Sequence, residues 1–278
     1  MTEDEMDVSC VVLTWNSAAY VEHCLQSVAH DLSASGLRHE FLIVDNGSSD
    51  GTLEMLAGLP FEVTVVPLGH NTGTTFSRNI GLRMARGRYI AVLDSDMEMV
   101  EPETVRRLID QLQARPGTGI IAPRLFYPSG RYQKTTDVFP TLGVKIRRYL
   151  HLREIEAREG EEAEQRLDTT EVDYAISAFW LFERGLVDAI GYLDEKIFYA
   201  PEDVDYCIRA WLAGRPVLYH PAVSAVHHAQ EISRKGFLSK SMRLHIVGLA
   251  YYFWKYRMLI SCRDLYRRIA QARAHGPR

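Results

Sequence analysis

Short apolar runs alternate with helix-like stretches along the first hundred residues of the chain. The apolar runs lie at residues 8–14, 41–44, 63–66 and 89–93, and they are rich in β-branched residues. Continuous apolar runs of this length are typical of strands that are buried on both faces of a parallel sheet. The pattern therefore predicts a succession of buried strands.

The stretches between these strands have helical spacing. Ser17 can cap a first helix, whose apolar residues Val21, Leu25 and Val28 recur at intervals of three and four residues. Further helices are predicted at residues 52–57 and 74–86. Strand–helix alternation of this kind indicates an α/β fold with a Rossmann-like, mostly parallel central sheet flanked by helices.

The second half of the chain has a less regular pattern. The pattern predicts a helix to Ala114, a strand at 119–126, a strand-like run at 172–182, a helix at 201–214 and short strands at 217–219 and 222–226. Residues 131–170 are rich in charge and are interpreted as an exposed helical or mobile insertion. From residue 237 the chain has helical character. The predicted organisation is a domain at 1–236 (with halves at 8–100 and 101–236) and a C-terminal helical extension at 237–278.

The composition and charge of the chain exclude some classes of protein but do not indicate a specific function. The chain has 278 residues, 46% of them hydrophobic, and a net charge of −4, which gives no reason to expect a nucleic-acid partner. The four cysteines show no paired spacing, which argues against disulfides and thiolate metal sites. The acidic N-terminus lacks the features of a signal peptide, and no apolar stretch is long enough to cross a bilayer. A cytoplasmic protein is expected.

Two carboxylates end the run at 89–93, because Asp94-Ser95-Asp96 follows it directly. Ligands bind beyond the carboxyl ends of parallel strands, and Thr14, Asn16 and Asp45 fall at such ends too. Neighbouring carboxylates repel each other unless a cation or a donor lies between them, and oxygen ligands suit Mg²⁺ or Mn²⁺. The alternative is an ordinary turn, since Asp and Ser are common turn formers. The position at a strand end favours the metal.

Two later clusters also carry candidate chemistry. Glu202 and Asp203 open a predicted helix, where the helix dipole alone stabilises acids by about 0.3–1 kcal/mol. The apolar segment before them allows one carboxylate to serve as a general base instead. His227 and His228 follow a predicted strand. Imidazole is a metal ligand, although a histidine at a strand end is more often a polar residue with a partner.

In the order and spacing of its motifs, the chain resembles the family 2 glycosyltransferases, which have the GT-A fold. The resemblance covers about residues 8–230 and rests on the segments at 11–16, 43–52, 71–81, 87–96 and 202–205. The Glu-Asp-x-Asp helix and the late histidine pair make it most similar to the branch that contains rhamnosyltransferases. Each motif is weak alone, but five in the same order are specific.

The resemblance implies an inverting transfer of one sugar from a UDP- or dTDP-sugar to an acceptor hydroxyl, assisted by Mn²⁺ or Mg²⁺. It implies that Asp96 ligates the metal, with His227 as a further ligand and His228 as its rival. Asp203 matches the family's catalytic base. The expected donor-site residues are Thr14, Asn16, Asp45, Arg78, Asp94 and Ser95, with Asp45 on the pyrimidine base and Arg78 near the base or the phosphates.

Alternatives to this reading remain open. A sugar nucleotidyltransferase is disfavoured, because residues 15–20 contain neither the glycines nor the basic residue of its phosphate loop. A non-catalytic nucleotide-sugar-binding module is disfavoured by the intact Asp94, Asp96 and Asp203. The acceptor can be a glycan, a lipid-linked glycan or a natural product. The apolar segment at 244–256 suits peripheral membrane contact, a homodimer interface or packing on the core.

Overall fold

The structure, a computed structural model, describes residues 6–163, 167–229, 240–274 and 276. Its strands are β1 (Val8–Thr14), β2 (His39–Asp45), β3 (Thr64–Pro67), β4 (Tyr89–Asp94), β5 (Met97–Met99), β6 (Ile120–Phe126), β7 (Tyr132–Gln133), β8 (Thr136–Asp137), β9 (Thr170–Glu171), β10 (Tyr174–Ala175), β11 (Phe179–Glu183) and β12 (Val217–His227). Its helices are α1 (Val21–Ala34), α2 (Thr52–Ala57), α3 (Thr74–Met84), α4 (Thr104–Ala114), α5 (Leu142–Ala163), α6 (Gly185–Ile190), α7 (Glu202–Leu212), α8 (Lys240–Tyr256) and α9 (Arg263–Ala274).

One large sheet organises the fold. Its strand order is β3-β2-β1-β4-β11-β6-β12-β5, with β7 on β6 and β9 on β12. The strands β3, β2, β1 and β4 are parallel, and β6 pairs in parallel with β12. The strand β11 runs antiparallel to both β4 and β6. The predicted α/β fold with a mostly parallel central sheet is therefore confirmed.

Helices cover both faces of the sheet, and alternating side chains of each strand enter two different cores. Along β4, Tyr89, Ala91 and Leu93 join the core that α1 and α4 complete. Ile90 and Val92 face the opposite core, to which α7 and α9 contribute. This two-sided burial explains why the strand is a continuous apolar run rather than an alternating one.

Most predicted elements of the first half match the structure closely. Strand β1 and helix α2 have the predicted bounds, whereas β2 is longer at both ends and α3 ends two residues early. The predicted cap of the first helix is wrong, because α1 begins only at Val21. The carbonyl of Ser17 accepts the amides of Tyr20 and Val21, and its hydroxyl lies 2.7 Å from that of Ser95.

The strand-like run at 172–182 is divided in the structure. Residues 176–178 leave the extended conformation and separate β10 from β11. The break places Ser177 against Arg78 and Glu202. In contrast, the two short strands predicted at 217–219 and 222–226 form the single strand β12, whose register on β6 shifts between His220 and Ser224.

The polar insertion at 131–170 contains the predicted helix, α5, but it is not simply exposed. Phe139, Ile155 and Glu156 are buried. Glu156 accepts hydrogen bonds from the Tyr127 hydroxyl and from the amide of Lys134. The insertion therefore packs on the domain through both apolar and charged contacts. Residues 164–166 of it lie outside the described residues.

The C-terminal helices α8 and α9 pack against the second core. Tyr252 and Leu265 are buried there, and Lys255 pairs with both Asp194 and Asp205. The start of the predicted C-terminal helix, at residues 237–239, lies outside the described residues. The division at residue 236 stays a prediction. Within the described part of the chain, no helix combines the length and the hydropathy that crossing a bilayer requires.

Candidate active site

The carboxyl ends of β1, β2 and β4 meet at one edge of the sheet. In the parallel ladders, Thr14 pairs with Asp45 and Leu13 pairs with Asp94. This register follows from the apolar runs, because each run must stay fully buried between its neighbours. The polar residues that end the three strands are therefore brought together, as the sequence predicts.

Thr14, Asn16, Asp45 and Ser48 form one group at this edge, called here the β1–β2 cluster. Asp45 is buried and accepts hydrogen bonds from the Thr14 hydroxyl at 2.9 Å and from the Ser48 amide at 3.0 Å. The Ser48 hydroxyl donates to it as well, at 2.5 Å. Asn16, which has a positive φ of 52°, accepts the amide of Ser49 through its side chain. The cluster fixes the loop that follows β2.

Asp94, Asp96 and His227 form a second group, called here the carboxylate–histidine cluster. Nε2 of His227 lies 3.2 Å from Oδ1 of Asp96 and 3.8 Å from Oδ2 of Asp94. One ligand atom from each residue lies within 4.8 Å of the other two. Two carboxylates and one imidazole are a donor set that suits Mn²⁺ or Mg²⁺, so the residues present fit a divalent cation.

The far side of the His227 ring is also held. Its Nδ1 lies 3.0 Å from Oε1 of the buried Gln133 on β7. A proton on Nδ1 donated to Gln133 leaves the lone pair of Nε2 facing the two carboxylates. Metal-binding histidines generally donate their other N–H in this way, which fixes the tautomer and the ring orientation.

Burial and the neighbouring charges shift the pKa values of Asp94 and His227 in the carboxylate–histidine cluster. Desolvation raises the pKa of Asp94, and the charge of Asp96 adds to this effect against the opposing charge of Arg78. Burial alone would lower the pKa of His227, but its hydrogen bond to Asp96 and the charges of Asp96 and Asp94 raise it overall. The anionic pair therefore attracts positive charge, whether a proton or a metal ion.

Ser95 lies between the two acids in sequence and is held by the loop that precedes α1. Its hydroxyl shares a hydrogen bond with that of Ser17, and both residues are buried. The hydroxyl of Ser17 also accepts the amide of Trp15, at 3.2 Å. The turn that presents the acids is thus tied to the loop that follows β1.

Arg78 on α3 connects the carboxylate–histidine cluster to the start of α7. Its guanidinium donates to Asp94 at 2.5 Å, to Glu202 at 3.2 Å and to the hydroxyl of Ser177 at 2.5 Å. The side chain is buried, and within the described residues its Nε has no hydrogen-bond partner. Sequence reasoning expected Arg78 near the nucleotide, and the structure gives its terminal nitrogens partners on two separate motifs.

The two acids that open α7 occupy different environments. Glu202 is buried beside Arg78 and Ser177, and burial, reinforced by the charge of Asp203, raises its pKa to about 8. Asp203 is only partly buried, and its carboxylate accepts the amide of Val204. Glu202 therefore supports the site from within, whereas Asp203 lies nearer solvent.

Basic groups from α5 and α8 lie on the Asp203 side of the site. Burial lowers the pKa of Lys145, and the charge of Asp203 opposes that effect. Burial alone would lower the pKa of Arg148 as well, but the nearby Tyr174, Asp137 and Asp203 raise it. Burial and the charge of Lys145 lower the pKa of His245 to about 4. The insertion and the C-terminal helix thus both reach the surroundings of Asp203.

Helix α8 approaches the segment before α7 through a glycine. A Cβ on Gly248 would lie 2.0 Å from the carbonyl oxygen of Ala200, which no side chain can accommodate. Farther along α8, Lys255 binds Asp205 at 2.5 Å, and the hydroxyl of Tyr256 donates to the same carboxylate at 2.8 Å. The helix therefore fixes the start of α7 from outside.

Sequence reasoning missed two of the supporting residues, namely Gln133 and Ser177. Gln133 lies in the insertion, where no pattern marked it. Ser177 lies in what was predicted as a continuous strand. Glu202 was a candidate together with Asp203, but its pairing with Arg78 and Ser177 carried no sequence signal. The sequence left His227 and His228 as rivals, and the structure places His227 against Asp96 and His228 against Glu98 at 2.8 Å.

Known proteins share this fold. A structure of GalNAc-T7 with UDP, GalNAc and Mn²⁺ superposes with a TM-score of 0.62 over 91% of this chain and 48% of that chain, at 15% identity. This likeness confirms the GT-A fold that the sequence predicts.

Curated relatives are similar in sequence. The succinoglycan biosynthesis protein ExoO of Rhizobium meliloti (strain 1021) is 38% identical over 109 residues, which are 39% of this chain and only 30% of that protein. An N-acetylglucosaminyl-diphospho-decaprenol L-rhamnosyltransferase of Mycobacterium tuberculosis (strain ATCC 25618 / H37Rv) is 26% identical over 236 residues, 78% of this chain and 75% of that protein. The model of glycosyl transferase family 2 matches residues 9–191. The chain therefore belongs to the family 2 glycosyltransferases.

Proposed function

We propose that the chain is an inverting glycosyltransferase that moves one sugar from a UDP- or dTDP-sugar to an acceptor hydroxyl. The observation that carries the proposal is the carboxylate–histidine cluster, which lies at the carboxyl edge of the sheet and is connected through Arg78 to the acidic start of α7. A cation site and a carboxylate base are the two parts that metal-assisted transfer from a diphosphate donor needs.

On the donor side, Asp96 and His227 would hold Mn²⁺ or Mg²⁺, with Asp94 beside them. When bound, the metal stabilises the negative charge that develops on the leaving nucleoside diphosphate. Thr14, Asn16 and Asp45 would line the nucleotide pocket, with Asp45 on the base. Ser95 orients the two acids through its bond to Ser17. GalNAc-T7, which shares the fold, was crystallised with UDP and Mn²⁺, and this supports the proposed donor class.

On the acceptor side, Asp203 would take the proton of the attacking hydroxyl. That oxygen attacks the anomeric carbon from the face opposite the leaving diphosphate, so the configuration inverts. Arg78 joins Asp94 to Glu202, the neighbour of Asp203, and so positions the base relative to the donor site. Arg78 is therefore assigned as a positioning residue. A place for Arg78 near the base or the phosphates of the nucleotide stays a prediction.

The acceptor is proposed to belong to cell-surface glycan or glycoconjugate synthesis. The rhamnosyltransferase relative is named for a lipid-linked acceptor, and the insertion around α5 would face the acceptor.

The outer face of α8 is apolar, with Val247 63% and Trp254 74% exposed. We place the enzyme in the cytoplasm, in peripheral contact with the inner face of the membrane. Flotation with anionic vesicles, lost in Val247→Ser/Trp254→Ser, tests this placement. A concentration-dependent dimer without flotation would assign the same face to a homodimer.

A thermal-shift screen of UDP, dTDP, GDP and CDP, each with Mn²⁺ or with EDTA, tests the donor site. A ligand at 100 times its dissociation constant stabilises the folded state by about 2.7 kcal/mol. We expect stabilisation by UDP or dTDP only with Mn²⁺, lost in Asp96→Ala and kept in Asp110→Ala, which removes an exposed acid of α4. Stabilisation that survives EDTA would separate the cluster from metal chemistry.

The base is tested separately. Asp203→Asn should lower kcat by about 10²–10⁴-fold, the usual range for loss of a general base, while the donor-induced shift is retained. Asp188→Asn, on the exposed side of α6, serves as the matched control. Donor binding without turnover in the parent chain would instead indicate a non-catalytic nucleotide-sugar-binding module.

A further inference from the structure

Three potential metal ligands meet on the other side of the β5–β12 pair from His227. Nε2 of His23, on α1, lies 3.0 Å from Oε1 of Glu98, on β5. Nε2 of His228, which follows β12, lies 2.8 Å from Oε2 of the same carboxylate. One ligand atom from each of the three lies within 4.8 Å of the other two. One carboxylate thus bridges two imidazoles from separate elements.

The surrounding contacts hold the rings in this arrangement. The His228 ring packs against Tyr20 at a centroid distance of 5.8 Å, and it meets the His23 ring edge-on at 6.2 Å. The backbone amide of His228 donates to the carbonyl of Asp96. His228 is therefore fixed by its ring and by its main chain, and both histidines present Nε2 to the carboxylate.

The donor atoms indicate the kind of cation. Two imidazole nitrogens and one carboxylate oxygen suit Zn²⁺ and similar transition metals better than Mg²⁺ or Ca²⁺, which prefer oxygen ligands. Three protein ligands leave one position of a tetrahedral ion open to water. The exposure of the His23 side chain, 60%, gives an ion a route to the site.

We propose that His23, Glu98 and His228 form a second cation site, which takes Zn²⁺ or a similar transition-metal ion and joins α1 to the β5–β12 pair. The site adjoins the carboxylate–histidine cluster without sharing a residue with it. Glu98 lies two residues after Asp96, and His228 directly follows His227. A bound ion therefore restrains the two chain segments that carry these neighbouring residues.

Zn²⁺ titration of EDTA-stripped protein tests the site without any nucleotide. The full chain carrying Asp96→Ala is used, so that the carboxylate–histidine cluster is incomplete. We expect one equivalent of Zn²⁺ to bind by calorimetry and to raise the Tm. Adding His23→Gln should weaken binding at least about tenfold, the lower end of the effect of losing even an outer-shell partner of a metal. Co²⁺ should show the absorption bands of a low-coordinate site, and these bands should be lost in the same variant.

The matched control is Asp96→Ala/His30→Gln, because His30 is also exposed and lies two turns farther along α1. It should bind Zn²⁺ as the Asp96→Ala parent does. A second test variant, Asp96→Ala/Glu98→Gln, is isosteric and should lose binding as His23→Gln does. Equal Zn²⁺ affinity with and without His23, or no binding by the parent, would overturn the proposal and leave a surface group of ion pairs.

Discussion

The β1–β2 cluster and the carboxylate–histidine cluster lie at the same sheet edge but satisfy their charges differently. In the first, the carboxylate of Asp45 receives hydrogen bonds from Thr14 and from both the amide and the hydroxyl of Ser48. In the second, Asp94 and Asp96 face each other across His227, and Arg78 reaches only one of them. Among the described residues, the first acid has three hydrogen-bond donors, whereas Arg78 and His227 are the partners shown for the second pair.

This difference distinguishes polar groups that hold the protein's own loops in place from polar groups that are suited to bind a ligand. A buried carboxylate with several donors is stable by itself and fixes its loop. Two carboxylates that lie close together repel each other and gain most from a cation between them. Variants of the first cluster should therefore act mainly on stability, and variants of the second should act mainly on metal binding.

Arg78→Met should have the largest effect on stability, because Arg78 is the buried cation between the carboxylate–histidine cluster and Glu202. Removing one member of a buried ion pair lowers the free energy of unfolding by about 3–5 kcal/mol. Urea denaturation at pH 7 measures the loss. Arg83→Met is the control on the same helix, where the exposed pair with Glu195 is worth about 0–1 kcal/mol. An equal loss of unfolding free energy in Arg78→Met and Arg83→Met would show that the Arg78 ion pairs contribute no more than a surface pair.

Gln133→Leu tests the carboxylate–histidine cluster without changing a proposed metal ligand. Loss of the partner of His227 Nδ1 should weaken Mn²⁺ binding by about 10–100-fold, since the ring loses its fixed tautomer and orientation. Titration of Mn²⁺ against the UDP-induced thermal shift measures this change. Gln113→Leu, at an exposed position of α4, should leave the Mn²⁺ dependence as it is in the parent. An unchanged dependence in Gln133→Leu would remove Gln133 from the metal site.

Asp45→Ala tests the β1–β2 cluster. The hydroxyl of Thr14 and the amide of Ser48 lose their acceptor, which lowers the free energy of unfolding by about 1–3 kcal/mol for a stranded buried donor. UDP affinity should fall as well, if Asp45 also contacts the base. Asp50→Ala is the loop control, because Asp50 accepts the amides of Ala18 and Thr52. A loss of stability with UDP affinity intact would confine Asp45 to shaping the loop.

Glu202→Gln should give an effect that depends on the pH. The folded pKa of Glu202, about 8, lies above its ordinary value of 4.5, so the folded state keeps a proton that the unfolded state releases. Glu202 thus lowers stability progressively as the pH rises from about 4.5 to 8. The Tm advantage of Glu202→Gln over the parent should therefore be greater at pH 8 than at pH 5. An advantage that shrinks as the pH rises would contradict the assigned direction.

The first half of the fold was predictable because its signals are local. The strands β1, β2 and β4 are apolar runs buried in the sheet, and the polar residue at the end of each marks the edge of the sheet. The predicted burial of β3 is wrong, because β3 is an edge strand and only its Val65 and Val66 are partly buried. Asp94 and Asp96 could thus be placed at a site before any contact was known. His227 and His228 could not be separated by sequence, because neighbouring residues of a strand face opposite sides and only the partner element shows which side holds the acids.

The contacts of the supporting residues could not be predicted, because these contacts join distant parts of the chain. Arg78 and Glu202 are 124 residues apart and meet only after α3 and α7 have packed. Ser177 reaches them because the chain leaves the sheet at 176–178, against its local strand propensity. Gln133 and the buried Glu156 lie in a polar stretch whose composition indicated exposure. In each case a tertiary contact overrides the local pattern.

The close contact between Gly248 and Ala200 also has a consequence for synthesis. Chains emerge from the ribosome N-terminus first, and the strands β1, β2 and β4 with their carboxylates are made long before α8. The cation of Lys255, which binds Asp194 and Asp205 on either side of residues 195–204, is among the last to emerge. The carboxylates of β1, β2 and β4 are therefore synthesised well before the helix that supports the start of α7.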